Sequence, residues 1–402
     1  MIEDNVIQYD DEAKKIYFVG NITSFVFYNQ LFKALREHYN KNGANVAPVF
    51  SFIYVERFDP LVVPNLISLG LILKRIHLKP TQLEIARTNA TKFLDNAWFF
   101  KAVGQPYTYS EEIKKNGIPH TINQNTGYDI YDFEPKLLGF YNNSNVSESY
   151  YAKHRVYVFR EDSFKYYSRF IQANTTEDEL DNIRTDKLID LEPFIKKRYE
   201  PILYDYEEIK PTLNNKDAHV VLAILTELIT NAVLYSGSHC SAMVQRIGNI
   251  TKISISDCGV GFGYSLEKKR EKFGKEYKNV FNEFSTIEQV KYKNYLYIFE
   301  TLSYSKEKEE STARENLYTL LKTVLKKRGE SEFQEGTIRI HYNDAQVIMT
   351  SNRCSGCSKV VPKKCARCLL NDYNPANEIS KSNLRFFDSS FTGVHIEVEL
   401  KF

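Results

Sequence analysis

Thr226-Glu227-Leu228-Ile229-Thr230-Asn231-Ala232, followed downstream by Asp257-Cys258-Gly259-Val260-Gly261-Phe262, is the pair of stretches that decides how this chain reads. The first lies in an apolar run from His219 to Tyr235, where Val220, Leu222, Leu225, Leu228, Ile229 and Val233 recur at helical spacing. Glu227 and Asn231 stand four apart, so both project from one face of that helix. A carboxylate and a carboxamide stacked there suit a base and a metal ligand. The second stretch follows Lys252-Ile253-Ser254-Ile255-Ser256, whose alternation reads as a strand. An Asp-x-Gly-x-Gly-Phe ending sets one carboxylate beside backbone with few side chains, which a planar ligand can approach closely.

Together, in this order and spacing, the two stretches resemble the GHKL ATPase family of gyrase, the large heat-shock chaperones, histidine kinases and the mismatch-repair ATPases. The resemblance implies that Glu227 is the general base and that Asn231 holds magnesium on the phosphates. It implies that Asp257 binds the adenine amino group of ATP, with Gly259 and Gly261 letting the ring sit close. Histidine-kinase domains commonly lack a hydrolytic base at this position, and no phosphoacceptor-histidine helix precedes Glu227 here. A sensor histidine kinase is therefore disfavoured.

The 402 residues suffice for two or three domains, and 43% apolar content supports real cores. Lys and Arg number 53 against 51 Asp and Glu, a formal net charge of +2. That balance argues against a dominant nucleic-acid or membrane role. There is no run of apolar residues long enough to span a bilayer, and Met1-Ile2-Glu3-Asp4 opens acidic rather than as a signal peptide. The expectation is a cytoplasmic protein.

Along the chain, strands alternate with helices over residues 1–105. A hairpin covers residues 7–20, a helix Asn21–Tyr39, a strand Val49–Val55, a helix within Pro60–Leu78, a strand Thr81–Ala86 and a helix Thr91–Val103. That pattern indicates an α/β sheet domain. Its order and lengths resemble a STAS domain, the module of anti-sigma-factor antagonists. Such antagonists carry a phosphorylatable Ser or Thr after the central strand, where this chain has Glu56-Arg57-Phe58-Asp59-Pro60 with no hydroxyl. Residues 106–210 read as a connector that holds a partner surface.

The third part, residues 211–402, is the GHKL-like α/β-sandwich. Its lid falls at 264–313, where the family closes over the phosphates, and Lys268, Lys269, Arg270 and Lys272 are basic candidates for contacting them. The family opens the next helix with a glycine-rich phosphate turn. Ala313-Arg314-Glu315-Asn316 stands there instead, with Asn316 available as a cap and nucleotide contact. The missing glycines put fast hydrolysis in doubt. Gly336–Tyr342 and Gln346–Thr350 read as a hairpin turning at Asn343-Asp344, and Gly393-Val394 opens the final strand where the family often has Gly-Thr.

An insertion at 351–390 carries Cys354-Ser355-Gly356-Cys357 and Cys365-Ala366-Arg367-Cys368. Two C-x2-C pairs across a short loop suit a closed tetrahedral zinc site of Cys354, Cys357, Cys365 and Cys368, and iron–sulfur is the lesser alternative. Such a knuckle either pins the final strand or presents a partner surface.

The functional expectation is a Mg-ATP-dependent ATPase or a protein serine kinase-like regulator. The alternative is a nucleotide-gated interaction protein, of bacterial regulation or phage defence, that binds ATP with little turnover. The partners implied are ATP, a protein and a second copy of the chain, with no membrane and no nucleic acid.

Overall fold

The computed structural model describes residues 6–86, 88–103, 127–132, 155–159, 176–204, 215–236, 238–247, 249–274, 276, 278–312, 316–326, 335–354, 360–374 and 383–401. The chain is mixed α/β and divides into two compact units. One comprises 1–158 with 241–245 and 387–389, and the other 159–240 with 246–386 and 390–402.

In the first unit, β1 (Val6–Asp10) and β2 (Lys15–Ile22) pair antiparallel around a tight turn in which Lys14 takes a φ of 53°. β2 then pairs parallel with β3 (Val49–Phe58), β3 with β4 (Thr81–Ile85), and β4 with β5 (Tyr128–Asp132). The strand order is sequential, β1-β2-β3-β4-β5. Parallel neighbours need crossovers, and helices α1 (Ser24–Asn42), α2 (Val62–His77), α3 (Asn89–Asn96) and α4 (Phe99–Ala102) supply them. The Thr23 hydroxyl starts α1 by accepting from the Val26 N–H at 3.2 Å. The core is aromatic: Phe52 is fully buried and meets Phe18 at 4.7 Å and Phe58 at 4.9 Å between ring centroids, edge to face.

The single helix expected over Thr91–Val103 is two. Trp98 lies between α3 and α4 with a φ of 62°, a left-handed residue that a continuous helix does not contain. Its ring is covered by the Arg155 guanidinium, 3.6 Å from the ring centroid.

The second sheet has the order β6-β7-β8-β10-β9, with β6 at Val156–Phe159, β7 at Cys240–Ile247, β8 at Ile250–Asp257, β9 at Glu335–Thr350 and β10 at Leu384–Lys401. β10 is antiparallel to both β8 and β9. Among the described residues the α-helices of the second unit are α5 (Glu177–Tyr204), α6 (Asn215–Tyr235), α7 (Gly261–Phe273), α8 (Thr286–Lys291), α9 (Lys293–Thr312), α10 (Leu317–Val324), α11 (Ser351–Cys354) and α12 (Pro362–Asn371). The stretch 106–210, read as one connector, contributes β5 to the first sheet and α5 to the second unit.

The hairpin expected at Asn343-Asp344 is absent. β9 runs unbroken from Glu335 to Thr350, because both its halves lie along the same partner, β10. Asn343 has a φ of 54°, and the register shifts opposite it, between Phe386 and Phe391 and between Phe391 and Val394. The turn-like dipeptide thus makes a bulge and not a reversal. Across this sheet His341, His395 and Ser256 stand in register. All three are buried, with Ser256 Oγ 2.6 Å from His395 Nδ1. Among the described residues no helix is long and apolar enough to cross a membrane.

Candidate functional site

α6 forms because its apolar positions repeat at helical spacing, and Leu222, Leu225, Ile229 and Val233 are buried. That burial fixes the rotation of the helix and turns Glu227 and Asn231 to a common side. The Asn231 amide donates to Glu227 Oε1 at 3.3 Å. Glu227 is 2% exposed.

β8 ends at Asp257, 4% exposed, whose Oδ1 accepts from the Gly259 N–H at 2.9 Å. The carboxylate therefore closes its own Asx turn. The Cys240 thiol is pushed up by burial and, secondarily, by the Asp257 charge. A Cβ on Gly259 meets the Ser236 carbonyl, and one on Gly261, at a φ of 73°, meets the Tyr342 ring. A Cβ on Gly393, at a φ of 105°, meets the Asp257 carbonyl. These glycines are required by the chain's own close packing, which holds Asp257 and the start of α7 in place.

One cavity gathers Glu227 and Asn231 from α6, Asp257 from the end of β8, Gly261 from α7 and Asn316 from the start of α10. Its apolar wall includes Leu228, Ile255, Phe262, Leu266 and Ile396. Gly259, Gly393 and Lys268 do not line it; Gly259 and Gly393 support it from behind. Lys268 is exposed and bonds Glu271 along α7 at 2.7 Å. Its neighbour Lys269 lines the cavity instead, with the ammonium 4.3 Å from the Tyr304 ring centroid and 4.8 Å from that of Tyr235.

Asn316 caps α10: its Oδ1 accepts from the N–H groups of Tyr318 at 2.9 Å and Thr319 at 3.3 Å, and its amide donates to the Ser305 carbonyl at 2.8 Å. Two of the N–H groups that this helix can offer an anion are thereby taken. Residues 313–315, the altered phosphate turn, lie outside the described residues.

Two cations at the cavity escaped the sequence reading, Arg184 on α5 and Lys308 on α9, whereas Lys269 on α7 is one of the four basic lid candidates and does line it. Lys308 pairs with Asp181 at 3.0 Å. Arg184 is 8% exposed, ion-pairs with Glu227, and donates from Nε to Asn231 Oδ1 at 3.0 Å. The sequence carried a signal for it. Leu180, Leu191, Ile195 and Tyr199 make a buried helical stripe on α5, and Arg184 sits inside that stripe. A lone arginine on an apolar face needs a buried acid as partner.

Of the four cysteines read as zinc ligands, Cys357 and the Cys354 side chain lie outside the described residues. Cys365 and Cys368 sit one turn apart on α12, Cys365 half-buried and Cys368 exposed, neither in a disulfide. Among the described residues no group of three or more His, Cys, Asp or Glu side chains is placed to hold a metal. No family model, no curated protein and no solved structure matches the chain.

Proposed function

We propose that the second unit binds ATP in this cavity and acts as a nucleotide-gated interaction protein with little turnover. The observation that supports it best is the convergence of Glu227, Asn231, Asp257 and Asn316 on one cavity from elements far apart in the chain. On this reading Asp257 accepts from the adenine amino group. The apolar wall takes the ring, and Lys269 and Lys308 face the phosphates. The arrangement fits the GHKL resemblance, which then extends to the second unit. The STAS resemblance is the corresponding reading of the first.

The ATPase or kinase reading, with Glu227 as base, requires Arg184 to release that carboxylate first. Binding without turnover stands ahead of it for that reason. A cytoplasmic location, a protein partner, self-association and a role in bacterial regulation or phage defence belong to the same reading. Zinc on Cys354, Cys357, Cys365 and Cys368 is proposed as a structural site. Elemental analysis of the purified chain tests it, and a Cys354→Ser variant that keeps full zinc content refutes it.

Titration calorimetry of ATP into the full chain, with phosphate release followed in the same samples, tests the main proposal. Binding with no release is expected. Asp257→Asn should weaken affinity by about 10- to 100-fold, the value of a hydrogen bond to a charged group. Unchanged affinity in that variant sinks the adenine assignment, and steady release moves the reading to an ATPase.

A further inference from the structure

The two side chains that the resemblance gives to base and magnesium already share a cation. The Arg184 guanidinium pairs with the Glu227 carboxylate, and its Nε–H donates to Asn231 Oδ1 at 3.0 Å. Glu227 Oε1 also accepts from the Asn231 amide, at 3.3 Å. A guanidinium carries a fixed charge and five donors in a planar fork, and it accepts nothing. Magnesium needs a near-octahedral oxygen shell at about 2.0–2.1 Å. With Asn231 Oδ1 and Glu227 Oε1 both engaged, the residues do not fit magnesium while Arg184 stays.

Arg184 is also held firmly. It is buried on the apolar face of α5, and Glu227, itself 2% exposed, depends on a nearby positive charge. The pair forms the wall between the cavity and a second groove, which Leu188, His219, Leu222 and Thr226 also line. Lys269 and Lys308 stand on the cavity side. The cavity therefore offers a polyphosphate cations of its own, set beside the acids Asp181, Glu227 and Asp257 that also line it.

We propose that Arg184 is a built-in substitute for the divalent ion, so that this site takes an adenine nucleotide without magnesium. The inference rests on the nucleotide reading above and specifies which form of the ligand the site selects.

The test is calorimetric titration of ATP into the full chain in excess EDTA and, separately, in excess magnesium. Equal affinity within about twofold is expected. Affinity tighter by tenfold or more with magnesium overturns the role of Arg184 and leaves the nucleotide reading standing. No binding in either condition overturns both. Arg184→Gln should lose about tenfold in EDTA, the value of one charge-assisted contact, and recover part of it with magnesium. Where that variant fails to fold, the double variant Arg184→Gln with Glu227→Gln removes both charges of the pair and should show the same loss. Metal-free affinity unchanged in a folded variant overturns the proposal.

Discussion

The two sheets solve the same problem with different materials. The first is largely parallel and packs on aromatic rings, Phe18, Phe50, Phe52 and Phe58 among them. Its buried charge is modest: Glu84 is paired at 2.7 Å with Lys15. The ladder of β8, β10 and β9 is antiparallel and buries Asp257, His341, His395 and Glu397, while Glu227 and Arg184 are buried on helices of the same unit. Burying ionisable groups costs free energy unless each is paired, and a fold built for stability alone avoids it. The contrast is one of materials: the first unit is organised mainly by aromatic packing, and the second carries the larger share of buried ionisable side chains.

The largest effect should come from cutting the packing side of the contrast. Phe52→Ala removes a fully buried ring and should destabilise the first unit by about 3–5 kcal/mol. ATP affinity measured below the melting point should stay the same; a parallel loss of affinity would break the separation between packing and chemistry.

A smaller effect sharpens the other side. Burial pushes His341 down to about 3 and holds His395 well below the ordinary histidine range. Both are therefore neutral in the folded chain and gain a proton near pH 6.5 only when it unfolds. Their contribution is fully present above about pH 6.5 and is lost as pH falls below it, for His341 down to about 3. The slope is on the order of 1 kcal/mol per pH unit for each histidine. Denaturant melts near neutrality and at about pH 5 should show it. The slope should shrink in His395→Asn; a slope untouched by that substitution would place the titration elsewhere.

Much of the site is local and therefore legible. Helical spacing announces α6 and puts Glu227 beside Asn231, the alternation of β8 delivers Asp257 to a turn, and Asn316 reads as a cap because caps are made by neighbours in sequence. What escapes is decided across distance. The bulge at Asn343 depends on β10 running past both halves of β9, and nothing near Asn343-Asp344 reveals that partner. Likewise Lys268 and Lys269 are adjacent cations on α7, and only the rotation of the packed helix turns Lys269 to the cavity. Arg184 was visible as an arginine on an apolar stripe, but its acid partner lies on another helix.

Trp98, held between α3 and α4 under the Arg155 guanidinium, is the chain's sole tryptophan. Its emission is thus an optical tag for one half of the molecule. Selective excitation of the indole follows melting of the first unit, whereas far-ultraviolet dichroism averages over every helix. Coincident curves from the two probes would mark a single cooperative transition, and separated curves would give each unit its own midpoint. No label has to be introduced to make that distinction.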